Sequence, residues 1–186
     1  MLTNEQEREL IEWQLGRGIV NLDYVGEYCP WDYPAVLVVK PFVENNNTVS
    51  PTIFWLSCPY LVYKVDRLEN EGLIEELTFK LKHNLEFEDK MLSAHRKYAE
   101  MRRDKLSDND LKAAEKISED LMNTLKKSGI GGIKDKSGIK CLHTHLADYL
   151  MGNDNPAAEL VWTKITWPKN CSICRERIDD IESGSH

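Results

Sequence analysis

The sequence predicts an α+β protein, with a small N-terminal sheet of about three strands packed with a mostly helical remainder that includes a long helical hairpin. Three observations carry this expectation. Apolar runs of strand length fill the first third of the chain, with Ala35–Val39 and Ile53–Leu56 the clearest and Ile19–Tyr28 the weakest. From Pro59 onward, apolar residues recur at helical spacing instead. Capping residues and glycines then divide that second region into separate helices.

Taken in order, Thr3 and Gln6 have the spacing of a capping box, and Leu10, Ile11 and Leu15 give the following helix an apolar side before Gly16 and Gly18 stop it. Ala35–Val39 is continuously apolar, as expected of a central strand covered on both faces. Asn45–Asn47 reads as a turn or exposed loop, and Pro51 precedes the third strand. Leu61, Val65 and Leu68 mark a helix that ends at Asn70-Glu-Gly72. Leu73–Leu77 fits either a short helix or a further strand. Asn84 caps a long helix reaching Leu106, with Glu86, Glu88 and Asp89 early in it. Ser107 caps a second helix over Asp108–Lys127, which completes the hairpin. After Gly129-Ile-Gly-Gly132 come a short helix from Lys140 to about Met151 and another opened by Asn155-Pro156. Residues 1–165 are expected to form one α+β domain, and 166–186 a C-terminal tail carrying Cys171-Ser-Ile-Cys174.

With 186 residues, the chain can bury a core without disulfides. The net charge of −7 argues against bulk binding to nucleic acid or anionic membrane. No apolar run approaches the ~18 residues of a membrane span. The polar start and five cysteines, an odd number, suit a cytoplasmic protein with reduced thiols.

The chemistry gathers around Cys141-Leu-His143-Thr-His145. Thiolate and imidazole are ligands for zinc and some iron sites. Cys141 and His145 share a helical face, whereas Cys141 and His143 can converge only in the first turn. Cys29 and Cys58 each follow a strand and precede proline, so both thiols are expected in rigid turns at strand ends. The expected site is Cys29, Cys58, Cys141 and His143, with His145 as the alternative histidine. Its cofactor would be zinc, or an iron–sulfur cluster on the three thiols. Taken singly, each of these cysteines is more simply a small buried hydrophobe. Cys171 and Cys174 form a possible second metal half-site or further donors to the first. Asp148 and Asp154 could orient an imidazole.

Backbone N–H groups at Gly129, Gly131 and Gly132, with Lys134 and Lys140, could cradle an anionic small molecule, although a loop with solvated lysines is the plainer reading. Cys141 at a helix start could also be a nucleophile with a histidine as base. The basic cluster His95-Arg-Lys97, Arg102, Arg103 and Lys105 reads as a solvated helix face.

An ordered series of motifs also carries a family resemblance. It comprises Cys29-Pro30 before Pro34–Val38, Pro51–Pro59, Arg67–Gly72, Gly129–Gly132, Lys140-Cys-Leu-His143 and Asn155-Pro156. From roughly Val20 to Ala157 the chain resembles the bacterial family catalogued as domain of unknown function 501. The resemblance implies a bacterial cytoplasmic protein and brings no activity. It further implies histidine in some members at the position of Cys58, as suits a metal ligand, and no counterpart there to His145, which favours His143. The expected function is a metal-binding protein, zinc or iron–sulfur, acting as a small metalloenzyme on an anionic substrate. The alternative is a module that binds a protein partner, with a structural metal, in cell-division or envelope housekeeping.

Overall fold

The strand Pro34–Val39 (β2) has all six residues buried and sits at the centre of a three-stranded antiparallel sheet. A computed structural model describes residues 2–43, 48–135 and 138–183. β2 pairs with β1 (Leu22–Tyr28) on one side; on the other it pairs with the third strand of the sheet, Phe54–Leu56. A strand has a period of two, so it divides its residues between two faces. Val36 and Val38, with Phe54 and Leu56, enter the main core against the helices. Leu37 and Val39 face the other way and pack with Ile11 of α1 (Asn4–Leu15), while Trp55 flanks them. The continuously apolar run is thus covered on both sides, as its sequence predicts. Phe42–Val43 (β3) and Thr48–Val49 (β4) add a small ladder, so Phe54–Leu56 is β5. The turn expected at Asn45–Asn47 lies outside the described residues.

The first helices follow their signals closely. Thr3 closes its capping box on Gln6, and Gly16, at φ 65°, ends α1. Pro59 opens α2 (Pro59–Asn70) where its missing N–H is harmless. Leu73–Leu77 belongs to a helix, α3 (Leu73–His83), with Leu73, Leu77 and Leu81 buried along one side. Asn84 accepts from the Phe87 N–H and caps α4 (Leu85–Asp104). The second arm of the expected hairpin is two helices, α5 (Asp108–Ile117) and α6 (Glu119–Lys127). Ser118 takes an extended conformation between them, with φ −169° and ψ 135°, and this interrupts the helical ladder. There follow a 3-10 turn (Ile130–Gly132), α7 (Leu142–Leu150), α8 (Pro156–Lys164) and α9 (Ile173–Ser183). The tail helix α9 lies on α1, where Cys174 and Ile178 bury against Leu10. Among the described residues, no helix is long and apolar enough to cross a membrane.

One face of α4 locks these parts together, and it is the face that the sequence suggested was solvated. His95, Tyr98 and Arg102 are fully buried. The Tyr98 hydroxyl accepts from the backbone N–H groups of Ile53 and Phe54, which ties α4 to the sheet edge. One turn on, the Arg102 guanidinium donates to the carbonyls of Leu125, Thr124, Ser128 and Pro51. Three of those carbonyls lie at the C-terminal end of α6, where the Thr124 carbonyl also accepts from the N–H and hydroxyl of Ser128. Burial pulls the guanidinium down to about 10, which still leaves it charged near neutrality. Replacing Arg102 by methionine should cost about 3 kcal/mol or more in urea unfolding, because several buried acceptors lose their donor at once. Lysine should restore less than half of that loss, since a compact ammonium cannot reach four carbonyls in a fork.

Candidate functional site

Cys141 is the cap residue of α7, with φ −146° and ψ 119°, so its side chain leaves an extended backbone rather than a helical one. That geometry lets it meet His143 two residues later. Cys141 Sγ lies 3.6 Å from His143 Nδ1. The same nitrogen is 3.3 Å from Glu69 Oε1, and the far nitrogen, Nε2, is 3.3 Å from Asp66 Oδ1. Asp66 and Glu69 stand three residues apart on the last turns of α2, hence on one face. Glu69 Oε1 also accepts from the Leu142 N–H at 2.7 Å, which docks α2 onto the start of α7. The donor atoms of Glu69, Cys141 and His143 all lie within 4.8 Å of one another, and each residue is partly exposed.

The charges of this group support one another. Burial pushes the Cys141 thiol up, but hydrogen bonds from His143 and the Thr144 N–H outweigh it and hold the thiol below its ordinary value. Burial alone would lower His143; the Cys141 thiolate, Glu69 and Asp66 raise it to about 9. The result is a thiol–imidazole pair in which each partner favours the charged form of the other, backed by two carboxylates on α2.

Cys29 and Cys58 are not part of this group. Cys29 ends β1 in a tight turn, with its N–H bonded to the Tyr33 carbonyl, and Cys58 caps the opposite end of α2. Cys58 and Glu69 are eleven residues apart along the helix axis, roughly 16 Å at ~1.5 Å per residue. Ligands of one ion must come within about 4 Å of each other. The expected foursome of Cys29, Cys58, Cys141 and His143 therefore divides into two places. Sequence separation gave no hint that a whole helix stands between them. Glu69 and Asp66 are the residues that sequence reasoning missed. Their signal was the Asp66…Glu69 spacing on a helix beside the cysteine–histidine segment.

The alternative ligand His145 points into the core. It is 1% exposed, its Nδ1 lies 3.1 Å from Asn155 Oδ1, and its ring packs edge-on against His95. Asp148, one helical turn further on, accepts from Asn153 and Asn155 and is buried with them, so it orients asparagines rather than a ligating imidazole. Asp154 pairs instead with Lys97 at the surface.

Four N–H groups of the glycine loop are engaged within the protein. The N–H groups of Gly129, Ile130, Gly132 and Ile133 bond to Ile133 O, His95 Nδ1, Gly129 O and Ile130 O, respectively. A Cβ on Gly129 would stand 2.6 Å from His95 Nδ1, which explains a glycine there without an anion. Lys134 pairs with Asp120, and Lys140 is exposed.

Two buried groups give this region a pH signature. Burial, then the nearby His95, lowers His145 from 6.5 to about 4, so it disfavours folding when protonated. Its contribution is present above pH 6.5 and lost as pH falls toward 4. Burial raises Asp148 from 3.8 to about 6, against the hydrogen bonds from Asn155 and Asn153, so its contribution is present at low pH and lost as pH rises through 6. The two nearly cancel between pH 4 and 6. Asp148→Asn should unmask His145, and unfolding free energy should then fall on acidification from pH 6.5 with a limiting slope of about 1.4 kcal/mol per pH unit. His145→Gln should show the opposite trend relative to the unmodified chain in the same series of urea melts.

Comparison with known proteins adds one match. The family model described as "Protein of unknown function (DUF501)" matches residues 25–163, which contain Cys29, Cys58, Asp66, Glu69, Cys141 and His143 but not Cys171 or Cys174. No curated protein and no solved structure matches.

Proposed function

Because the chain belongs to the DUF501 family, whose description assigns no activity, its role has to come from its own residues, and we propose that it is a metal-binding protein whose Cys141–His143–Glu69 group holds one divalent ion. The observation that carries this reading is the convergence of three different donor types, thiolate, imidazole and carboxylate, within 4.8 Å. Asp66 strengthens it. A ligating histidine commonly gives its other N–H to a carboxylate, and Asp66 stands 3.3 Å from Nε2 while Nδ1 faces the sulfur and Glu69. Three protein ligands with one open position are the arrangement of catalytic rather than structural zinc. An ion there would polarise a small oxygen-bearing substrate or lower the pKa of a bound water.

A second reading has its own observation. The same thiolate, at a helix start and paired with His143, has the features of a cysteine nucleophile. Alkylation separates the two. In metal-free protein Cys141 should react with iodoacetamide faster than the other four thiols, and saturating zinc should suppress that reaction. Alkylation that zinc leaves unchanged would defeat the metal reading and favour the nucleophile. Titration should give one zinc at this site, with affinity lost in Cys141→Ser and His143→Ala. Asp66→Asn should weaken binding about tenfold or more, the usual effect of removing a carboxylate behind a ligating histidine.

A further inference from the structure

The other half of the divided site is not left alone. Cys29 and Cys58 line one nearly closed pocket together with Cys171 and Cys174, on segments more than a hundred residues apart in the chain. We propose that these four cysteines form a tetrathiolate metal centre, separate from the Cys141 group, that takes an iron–sulfur cluster or a single zinc ion.

Several observations converge on this pocket. Its remaining walls are proline, isoleucine and aromatic residues such as Trp31, Tyr60 and Trp167, and among the described residues no acidic or basic side chain lines it. Four thiols in such surroundings match only thiophilic metals, since hard cations require oxygen. Cys29, Cys58 and Cys174 are each less than a tenth exposed, while Cys171 is half-buried at the rim. All four are free thiols, so no disulfide accounts for their meeting. A hydrogen-bond donor is also aimed at one of the sulfurs: Gln14 Nε2 lies 3.4 Å from Cys174 Sγ. Neutral thiols accept hydrogen bonds weakly; metal-bound thiolates accept them well, and such bonds tune iron–sulfur centres.

The fold builds the arrangement from rigid parts. Cys29 sits in a turn where Asp32 takes a left-handed conformation at φ 61°. Cys58 is fixed between β5 and Pro59 at the start of α2. Cys171 and Cys174 stand three residues apart around the start of α9, which is clamped on α1 through Leu10 and Ile178.

The sulfur spacing bears on the occupant. Around a single zinc the sulfurs would approach to about 3.8 Å, from Zn–S bonds of ~2.3 Å. Among the described residues, no three of the four sulfurs lie within 4.8 Å of one another. A lone zinc would therefore require the thiols to close in, whereas a cluster would place its irons between the sulfurs.

The test uses the full chain purified without oxygen, with iron, acid-labile sulfide and zinc measured per protein. The expected result is iron with sulfide and a visible absorption band, or one zinc beyond any that the Cys141 group holds, counted in the Cys141→Ser background. The double variant Cys171→Ser/Cys174→Ser should lose at least nine-tenths of that metal while keeping its far-ultraviolet circular dichroism. Cys141→Ser and His143→Ala should leave it intact, so this site and the Cys141 group can fail independently. Cobalt added to metal-free protein provides a second measurement, with a thiolate charge-transfer band that weakens in each single cysteine variant of the four. Metal content unchanged in the double variant would overturn the proposal. So would a chain that holds neither zinc nor a cluster after reconstitution with zinc or with iron and sulfide, or a Cys171–Cys174 disulfide in protein kept free of oxygen.

Discussion

A buried guanidinium with four carbonyls around it is the constraint on which the architecture rests. Arg102 takes the acceptors at the end of α6 and the carbonyl of Pro51, so the helical half and the sheet meet at one charged group. Taking a charge out of water is costly, and the cost is offset only when its hydrogen-bond capacity is filled. The alternative would leave the end of α6 and the lead into β5 with unpaired carbonyls in the interior. Tyr98 and His95 continue the same face of α4, holding the N–H groups of β5 and of the glycine loop. Through that loop the face reaches the segment that carries Cys141.

The helix α2 gives the molecule its functional layout. Cys58 stands at its first end beside the sheet, and Asp66 and Glu69 stand near its last turn against α7. An α-helix is stiff over this length, so the two candidate sites are held at a fixed distance. The acidic residues face the thiolate–imidazole pair, whereas the four-thiol pocket has only apolar and aromatic walls. Two ends of one helix thus offer two different environments, one charged and wet, the other apolar and nearly closed.

Much of the fold was legible because its signals are local. The Thr3–Gln6 box, the apolar run of β2, the Asn84 and Ser107 caps and the Asn155-Pro156 start each act within a few residues. The break at Ser118 was not legible, since the residues on both sides keep helical spacing and only the backbone of one serine departs from it. Arg102 was misread for a related reason: composition marks arginine as a surface residue, and its burial depends on carbonyls brought in from two other segments, the end of α6 and Pro51. At the site, the pairing of Cys141 with His143 was visible at two-residue spacing. Which distant cysteine joins which group was not, because that is set by the direction of α2 and by the docking of α9 on α1.

The docking of α9 has a consequence for biosynthesis. The ribosome makes Cys29 and Cys58 long before Cys171, and domains begin to fold during synthesis. For that interval, the β1 turn and the start of α2 present two thiols and an apolar hollow to the cell with nothing over them. Leu10 on α1 likewise waits for its partner Ile178. The nascent chain is therefore most exposed to oxidation and mistaken pairing at this corner, and arrival of α9 ends that exposure.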